Sequence, residues 1–175
     1  VGISGQLAPV GEQAKRGADA AAADINAKGG VNGEPLAIQL GDDACDPKQA
    51  VAVANDLAAK GVVLVAGHFC SGSSIPASMV YNEEGILQMS PASTNQQFTE
   101  QGFDNVYRMC GRDDQQGGIA GKYLAAHVAD KNIAFVGDKT AYGKGLAAET
   151  KKAMGEAGKQ AAMEESITAG EKDYS

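Results

Sequence analysis

The sequence predicts a doubly wound α/β protein with a parallel sheet and right-handed crossovers. Short apolar segments alternate with helical stretches along the whole chain, and the connections between them are short. In the segment Gly61–Ser74 (GVVLVAGHFCSGSS), Val62–Val65 are apolar and mostly β-branched, which is typical of a strand buried on both faces. The strand ends at Gly67, and the small polar residues that follow it predict the start of a helix.

The first sixty residues predict two strands and two helices. Val1–Ser4 resembles the end of a strand, and the Ala-rich segment Glu12–Lys28 is helical and is stopped by a glycine pair. Leu36–Leu40 alternates in polarity and predicts the next strand, while Pro47–Lys60 is a helix that opens on proline. The later predicted elements are helices over Ile75–Glu84, Gln115–Ala129 and Gly145–Ala157, and strands over Ile86–Met89, Asn105–Cys110, Asn132–Val136 and Ala162–Ile167.

A polar, glycine-bearing segment, Gly111–Gly117 (GRDDQQG), predicts a domain boundary. We therefore divide the chain into 1–112 and 113–175. The second part holds two predicted strands and two predicted helices, which is too little to bury a hydrophobic core alone. We expect the chain to be part of a longer protein, and we expect any leader before Val1 to have been removed.

Composition excludes several classes of partner. The 175 residues carry a net charge of −7, which argues against binding to a nucleic-acid backbone. Hydrophobic residues make up 43% of the chain without a long apolar run, so no membrane span is predicted. Aromatic residues make up only 5% and tryptophan is absent, so no stacking platform for bases or sugars is expected.

The three cysteines leave the redox compartment open when only the residues are considered. Cys45 and Cys70 both follow predicted strands at the same edge of the sheet. A bridge between them would stabilise the protein by roughly 3–4 kcal/mol and would imply an oxidising compartment. The alternative is three free buried thiols in a cytosolic protein. Cys110 lies within a predicted strand and is expected to be buried and unpaired.

The sequence predicts no catalytic residue, no metal and no cofactor. Asp42, Asp43 and Asp46 lack the glycine and distal glutamate of a calcium loop, so a solvated capping loop is favoured. Neither histidine has the spacing of a zinc ligand. Nucleotide-binding glycine fingerprints and a nucleophile elbow are absent. His68 lies three residues from Ser71, which matches no catalytic triad.

Hydroxyl-rich loops follow two neighbouring predicted strands. Ser71–Ser74 (SGSS) follows the first strand and Ser90–Thr94 (SPAST) the second, so we expect one polar pocket at the carboxyl edge of the sheet. A helix N-terminus there favours a small carboxylate or phosphate. The alternative is two ordinary turns with capping serines. Tyr142, on the predicted loop Asp138–Lys144, is either a surface ring or one that closes over a ligand.

Six segments of the chain resemble bacterial periplasmic substrate-binding proteins for branched-chain amino acids: ADINAKGGVNG, DDACDPKQAVAVANDL, GHFCSGSS, SPAST, DKTAYGKGLA and ITAGEKDYS. The resemblance implies the type I periplasmic binding protein fold, with two Rossmann-like lobes, 1–112 being the first lobe and 113–175 the beginning of the second. It implies a monomeric periplasmic protein without enzymatic activity. That protein captures a free aliphatic L-amino acid and delivers it to the membrane permease components of an ABC transporter. A sensor or receptor domain of the same fold is the alternative.

The same resemblance implies roles for individual residues. Ser71 matches the residue that binds the α-carboxylate of the ligand. Thr94 matches a residue that touches both the carboxylate and the ammonium group, and the carbonyl of Ala92 matches an acceptor for the ammonium. Tyr142 matches a ring of the second lobe that covers the ligand.

Phe69 and Cys70 are implied to line the pocket, and Cys45 and Cys70 match the disulfide pair of the family. The chain departs from the family at Val10, where close relatives carry a tyrosine, and we expect this difference to alter side-chain selectivity. The acidic ligand for the ammonium, a second capping tyrosine and the apolar wall of the pocket are expected beyond Ser175.

Overall fold

Parallel sheets and helices alternate through the computed structural model, which describes residues 1–128, 130–168, 170–171 and 173. One sheet has the strand order β1 (Leu64–Ala66), β2 (Leu87–Ser90) and β3 (Val106–Arg108), and a second pairs β4 (Ala134–Gly137) with β5 (Met163–Ser166). The α-helices are α1 (Ala8–Ala27), α2 (Pro47–Ala59), α3 (Ser71–Glu83), α4 (Asp113–His127) and α5 (Ala141–Glu156), and 3-10 helices span Gly5–Leu7 and Gln96–Thr99.

Several predicted positions lie outside the described residues. These are Ala129, the predicted last residue of the helix that the structure ends at His127, and four residues of the ITAGEKDYS segment: Ala169, Lys172, Tyr174 and Ser175. In the described part of the chain, every helix is too short or too polar to cross a membrane.

The core of the first sheet lies between β1 and the pair of helices α2 and α3. Small alanines let the two helices approach each other closely, since Ala50, Ala54 and Ala77 are completely buried. Leu57, Val65, Tyr81 and Ile86 complete this cluster. Burial of this apolar surface stabilises the layer at about 25 cal/mol per Å². It also holds the N-terminus of α3 against the carboxyl ends of the strands.

Helices α4 and α5 pack against each other through glycine. A Cβ atom at Gly121 would lie 2.3 Å from the carbonyl oxygen of Thr150, so only glycine permits this separation of the two backbones. Thr150 itself is buried and donates its hydroxyl to the carbonyl of Leu146, 2.8 Å away. The close packing of α4 against α5 helps to set the position at which α5 begins, close to the candidate site described below.

Two predicted strands are wrong. The segments Val1–Ser4 and Leu36–Leu40 belong to neither sheet. A backbone N–H of the first segment donates to Oδ1 of Asp42 at 3.0 Å. In the second segment, the N–H of Leu36 donates to Oδ1 of Asn26 at 2.6 Å, and the amide of Asn26 returns a bond to the carbonyl of Leu36 at 2.9 Å. Side chains therefore satisfy backbone groups that a strand ladder would otherwise satisfy.

Three helices begin about one turn earlier than predicted, and the first of them is α1, which begins at Ala8 and not at Glu12. α3 begins at Ser71, with Cys70 as its extended N-cap, so the small polar residues form the first turn and not a loop before it. α5 begins at Ala141, and the hydroxyl of Thr140 caps it by accepting a backbone N–H bond. The prediction that Tyr142 lies on a loop is therefore wrong, because Tyr142 occupies the first turn of α5.

Candidate functional site

A disulfide between Cys45 and Cys70 joins the turn before α2 to the N-terminus of α3, with a Cα–Cα distance of 5.6 Å. The predicted pair is thus confirmed. The bridge spans a sequence separation of 25 residues, and a loop of that size contributes about 3 kcal/mol in the chain-entropy model. Cys110 is a free thiol, as predicted, although it is only partly buried.

A buried hydrogen-bonded chain lies beside the disulfide. Nδ1 of His68 is 2.5 Å from Oδ2 of Asp43, and Nε2 is 3.0 Å from the hydroxyl of Tyr81. Asp43 is fully buried, so the predicted solvated acidic loop is wrong at this position. Burial of Asp43 opposes ionisation, but the hydrogen bond and charge of His68 outweigh it, and the pKa of Asp43 lies below its usual value. His68 therefore anchors the loop that leads into α3.

Three fully buried serines tie the two predicted hydroxyl-rich loops together. Ser90 donates its hydroxyl to the carbonyl of His68 at 2.6 Å, and Ser93 donates to the carbonyl of Phe69 at 3.0 Å. The hydroxyls of Ser74 and Ser93 are 2.6 Å apart. These serines satisfy buried backbone carbonyls, so for them the alternative of structural serines describes the structure better than a ligand pocket.

Ser71 and Thr94 lie close together at this edge of the sheet. The Oγ atom of Ser71 accepts a hydrogen bond from the N–H of Asn95, the residue after Thr94, at 3.3 Å, and Ser71 is only 2% exposed. Because the oxygen accepts here, the hydroxyl proton is left to donate to another group. Oγ1 of Thr94 is buried and has no hydrogen-bond partner in the described part of the chain. The hydroxyls of Ser71 and Thr94 can therefore each form a further hydrogen bond, and both lie at this edge of the sheet.

Asp113, which the sequence did not single out, completes this region from the start of α4. Its N–H donates to the carbonyl of Thr94 at 2.9 Å, and its side chain is fully buried. Neither carboxylate oxygen has a hydrogen-bond partner among the described residues. Burial raises the pKa of Asp113. The only sequence signal was the acidic pair within the predicted boundary segment.

Arg108, at the end of β3, holds the backbone around Thr94 in place. Its guanidinium donates to the carbonyls of Ser93 and Asn95, at 2.8 and 2.9 Å, which flank Thr94 on both sides. A third bond, of 2.6 Å, reaches the hydroxyl of Thr99. The planar fork of five N–H donors suits arginine to this role. Sequence reasoning missed this residue because its partners are mainly backbone carbonyls.

The remaining predicted site residues surround the same edge. Tyr142 is 42% exposed on the first turn of α5, and the carbonyl of its neighbour Ala141 accepts a 2.8 Å hydrogen bond from the side chain of Asn95. The N–H of Ala92 donates to the Ser90 hydroxyl at 3.3 Å. Phe69, which precedes Cys70 at the N-cap of α3, lines a narrow crevice together with Val10 and Cys45.

The sheets are parallel, and the polar loops after their strands meet at one edge. The molecule is therefore an α/β protein with a polar site at the strand ends. The family model described as "Periplasmic binding protein" matches residues 1–175, so the chain belongs to the periplasmic binding protein family. The predicted type I periplasmic binding protein fold is confirmed.

Similar proteins support the same assignment. The chain is 54% identical to the Leu/Ile/Val-binding protein homolog 1 of Brucella melitensis over 173 residues, which are 99% of this chain and 47% of that protein. It is 51% identical to an amino acid binding protein of Pseudomonas aeruginosa, covering 98% of this chain and 46% of that protein. The chain therefore spans about half the length of these relatives.

A solved structure shows the same architecture. The branched-chain amino acid transporter substrate binding protein LivJ from Streptococcus pneumoniae, in complex with isoleucine, superposes with a TM-score of 0.84 at 27% identity. The match covers 98% of this chain and 49% of that protein.

Proposed function

We propose that the protein containing this chain is an extracytoplasmic solute-binding protein that captures a branched-chain or related aliphatic amino acid. In this proposal, 1–112 form the first lobe and 113–175 begin the second, and the ligand binds between them. The family membership and the names of relatives that are 51–54% identical support this function. The proposal includes delivery of the amino acid to the membrane permease components of an ABC transporter.

One observation carries the proposal: Ser71 and Thr94 present hydroxyls with unused hydrogen-bonding capacity at the N-terminus of α3. An amino-acid zwitterion needs partners for both charges, because burial of an unpaired charge is very costly. The Ser71 hydroxyl and the first N–H groups of α3 suit the α-carboxylate. The Thr94 oxygen and the carbonyl of Ala92 suit the ammonium group, to which both act as acceptors.

The proposal also assigns residues that cover and line the ligand. Tyr142, on the first turn of α5, is placed to contribute its ring from the second lobe as the two lobes close. Phe69 and Cys70 lie at the first-lobe side, and Val10 shares the crevice of Phe69, so its small side chain bears on ligand selection. Discrimination between aliphatic side chains by pocket volume is worth about 1–3 kcal/mol per methylene.

The proposed compartment is the periplasm, where disulfides such as the Cys45–Cys70 bridge form and persist. The proposed protein acts as a monomer, binds no nucleic acid and performs no chemical step on its ligand. The net charge of −7 on these 175 residues favours solubility and disfavours contact with anionic polymers.

Titration calorimetry on the full-length protein tests this function with leucine, isoleucine, valine and, as a control, aspartate. We expect saturable binding of at least one aliphatic amino acid and no binding of aspartate, whose second carboxylate would enter an apolar pocket unpaired. Failure to bind all three aliphatic amino acids contradicts the proposed function.

A further inference from the structure

Asn95 uses three polar groups to connect three different parts of the molecule. Its N–H donates to Oγ of Ser71 at 3.3 Å, and its Oδ1 accepts from the N–H of Gln97 at 2.9 Å. Its Nδ2 donates to the carbonyl of Ala141, the first residue of α5, at 2.8 Å. The side chain is almost completely enclosed, since Asn95 is 7% exposed. A side chain bonded at both ends in this way has a single allowed orientation.

The face of α5 that meets this side chain is shaped to admit it. A Cβ atom at Gly145 would lie 2.5 Å from Nδ2 of Asn95, so the asparagine amide fits only because position 145 is glycine. One turn further along α5, Oε1 of Glu149 accepts a 2.8 Å bond from the amide of Gln96. Residues 141, 145 and 149 share one helix face, so this contact follows α5 for more than two turns.

We propose that Asn95 is a positioning residue that couples the two sides of the amino-acid site. Its backbone N–H makes Ser71 an acceptor and so directs the hydroxyl proton toward the ligand carboxylate. Its side chain holds the first residue of α5 and thereby sets the position of Tyr142, the next residue of that helix. This inference deepens the proposed amino-acid binding and rests on it.

Asn95→Asp is the sharpest test, because the aspartate keeps the size and the Oδ1 acceptor but loses the Nδ2 donor. A negative oxygen would then face the carbonyl of Ala141, and α5 would lose its anchor. In the full-length protein we expect amino-acid affinity to fall about tenfold, the effect of losing one well-placed hydrogen bond. The loss should appear mainly as faster dissociation, because a loosened cover releases the ligand sooner.

Asn26→Asp serves as the matched control. The amide of Asn26 also donates to a backbone carbonyl, that of Leu36, at 2.9 Å, and its Oδ1 also accepts a backbone N–H. This pair is exposed and joins α1 to the segment that follows it, so it includes no residue of α5. We expect Asn26→Asp to bind the amino acid as tightly as the wild type.

A double-mutant cycle separates positioning from a general structural effect. In a Tyr142→Ala background, Asn95→Asp should weaken binding by less than about twofold, because the ring whose placement it controls is gone. A merely structural asparagine would lower affinity by the same factor in both backgrounds. Equal factors therefore overturn the coupling.

Gly145→Ala tests the same contact from the other side and decides the question if Asn95→Asp does not fold. Alanine favours the helix, so α5 itself is retained while the new methyl group displaces the Asn95 amide. We expect an affinity loss similar to that of Asn95→Asp, and unchanged affinity in the folded variants overturns the inference. A wild-type protein that binds no aliphatic amino acid contradicts the proposed function instead.

Discussion

Asp43 and Asp113 are both fully buried carboxylates, yet the structure treats them in opposite ways. Asp43 is paired with His68, and its pKa is lowered. Asp113 has no hydrogen-bond partner for either oxygen within the described residues, and burial raises its pKa. Asp43 holds a loop in place through its pairing with His68. Asp113 lies beside Thr94, and buried polar groups without hydrogen-bond partners are typical of a functional site.

The largest expected effect comes from breaking the paired carboxylate. Asp43→Ala leaves His68, which also bonds to Tyr81, buried without its carboxylate partner. Removal of one member of a buried pair typically costs about 3–5 kcal/mol. We expect the free energy of unfolding of the full-length protein to fall by that amount, measured by urea denaturation at neutral pH.

Asp56→Ala is the control for this experiment. Asp56 forms an exposed i,i+4 ion pair with Lys60 at 2.6 Å, and its loss should change the free energy of unfolding by no more than about 0.5 kcal/mol. Similar losses in the two variants would show that the pairing of Asp43 does not stabilise the fold.

Two serines of α3 provide the next comparison, one at the N-terminus of the helix and one in its middle. Ser71→Ala removes the proposed donor to the ligand carboxylate, and a hydrogen bond to a charged group is worth about 1.5–3 kcal/mol. We expect affinity for the amino acid to fall roughly ten- to a hundredfold in calorimetry. Stability should fall by about 1 kcal/mol as well, because the N–H of Asn95 loses its acceptor. An unchanged affinity removes Ser71 from the site.

Ser78→Ala on the same helix is expected to affect stability alone. The Ser78 hydroxyl donates to the carbonyl of Ile75 at 2.7 Å and accepts a bond from the amide of Gln101 at 2.8 Å. Its removal should lower stability by about 1 kcal/mol and leave amino-acid affinity unaltered. Weakened binding in this variant would mean that α3 responds as a whole and not at its N-terminus.

The smallest effect is expected from neutralising the unpaired carboxylate. Because the folded-state pKa of Asp113 is raised, the stability that its protonated form contributes is present below the ordinary aspartate pKa of about 3.9 and is lost as the pH rises through the folded-state value. Asp113→Asn cannot undergo this loss. At neutral pH we expect the variant to be as stable as the wild type or more stable by about 1 kcal/mol.

Thermal unfolding of wild type and Asp113→Asn across this pH range checks the prediction. The difference between them should shrink toward acidic pH, where the wild-type carboxyl is protonated. The pH dependence that Asp43 contributes has the opposite direction. Because its pKa is lowered in the folded protein, ionised Asp43 stabilises the fold at pH values above the ordinary aspartate pKa. That stability is lost as the pH falls through the folded-state pKa. Destabilisation by Asp113→Asn at neutral pH would contradict the view that this carboxylate is unpaired.

Local sequence signals predicted much of the fold. Pro47 begins α2, where Asp46 caps the helix by accepting the N–H of Gln49 at 2.8 Å. The glycine pair after α1 adopts positive φ angles of 102° and 74°, which other residues rarely adopt. The apolar run Val62–Val65 overlaps β1, but only Val65 of that strand is buried, so the prediction of burial on both faces is wrong. Each of these signals depends on a few residues that are neighbours in the chain, so it can be read from the sequence alone.

The candidate site was only partly predictable. The hydroxyl-rich loops were found, but nothing in their spacing separates Ser71 from Ser74, Ser90 and Ser93, which satisfy buried carbonyls. That division depends on which carbonyls face which hydroxyls once the loops pack. Arg108 was missed for the same reason.

The sequence by itself determined the alternation of strands and helices, the helix stops and the hydroxyl-rich loops, because propensity, capping and periodicity are local properties of the chain. Only the tertiary structure decided that Asp43 is paired and Asp113 is not, and that Asn95 reaches α5. These outcomes depend on burial and on partners that are distant in sequence. A polar side chain acquires its cost or its role only when the rest of the fold removes it from water.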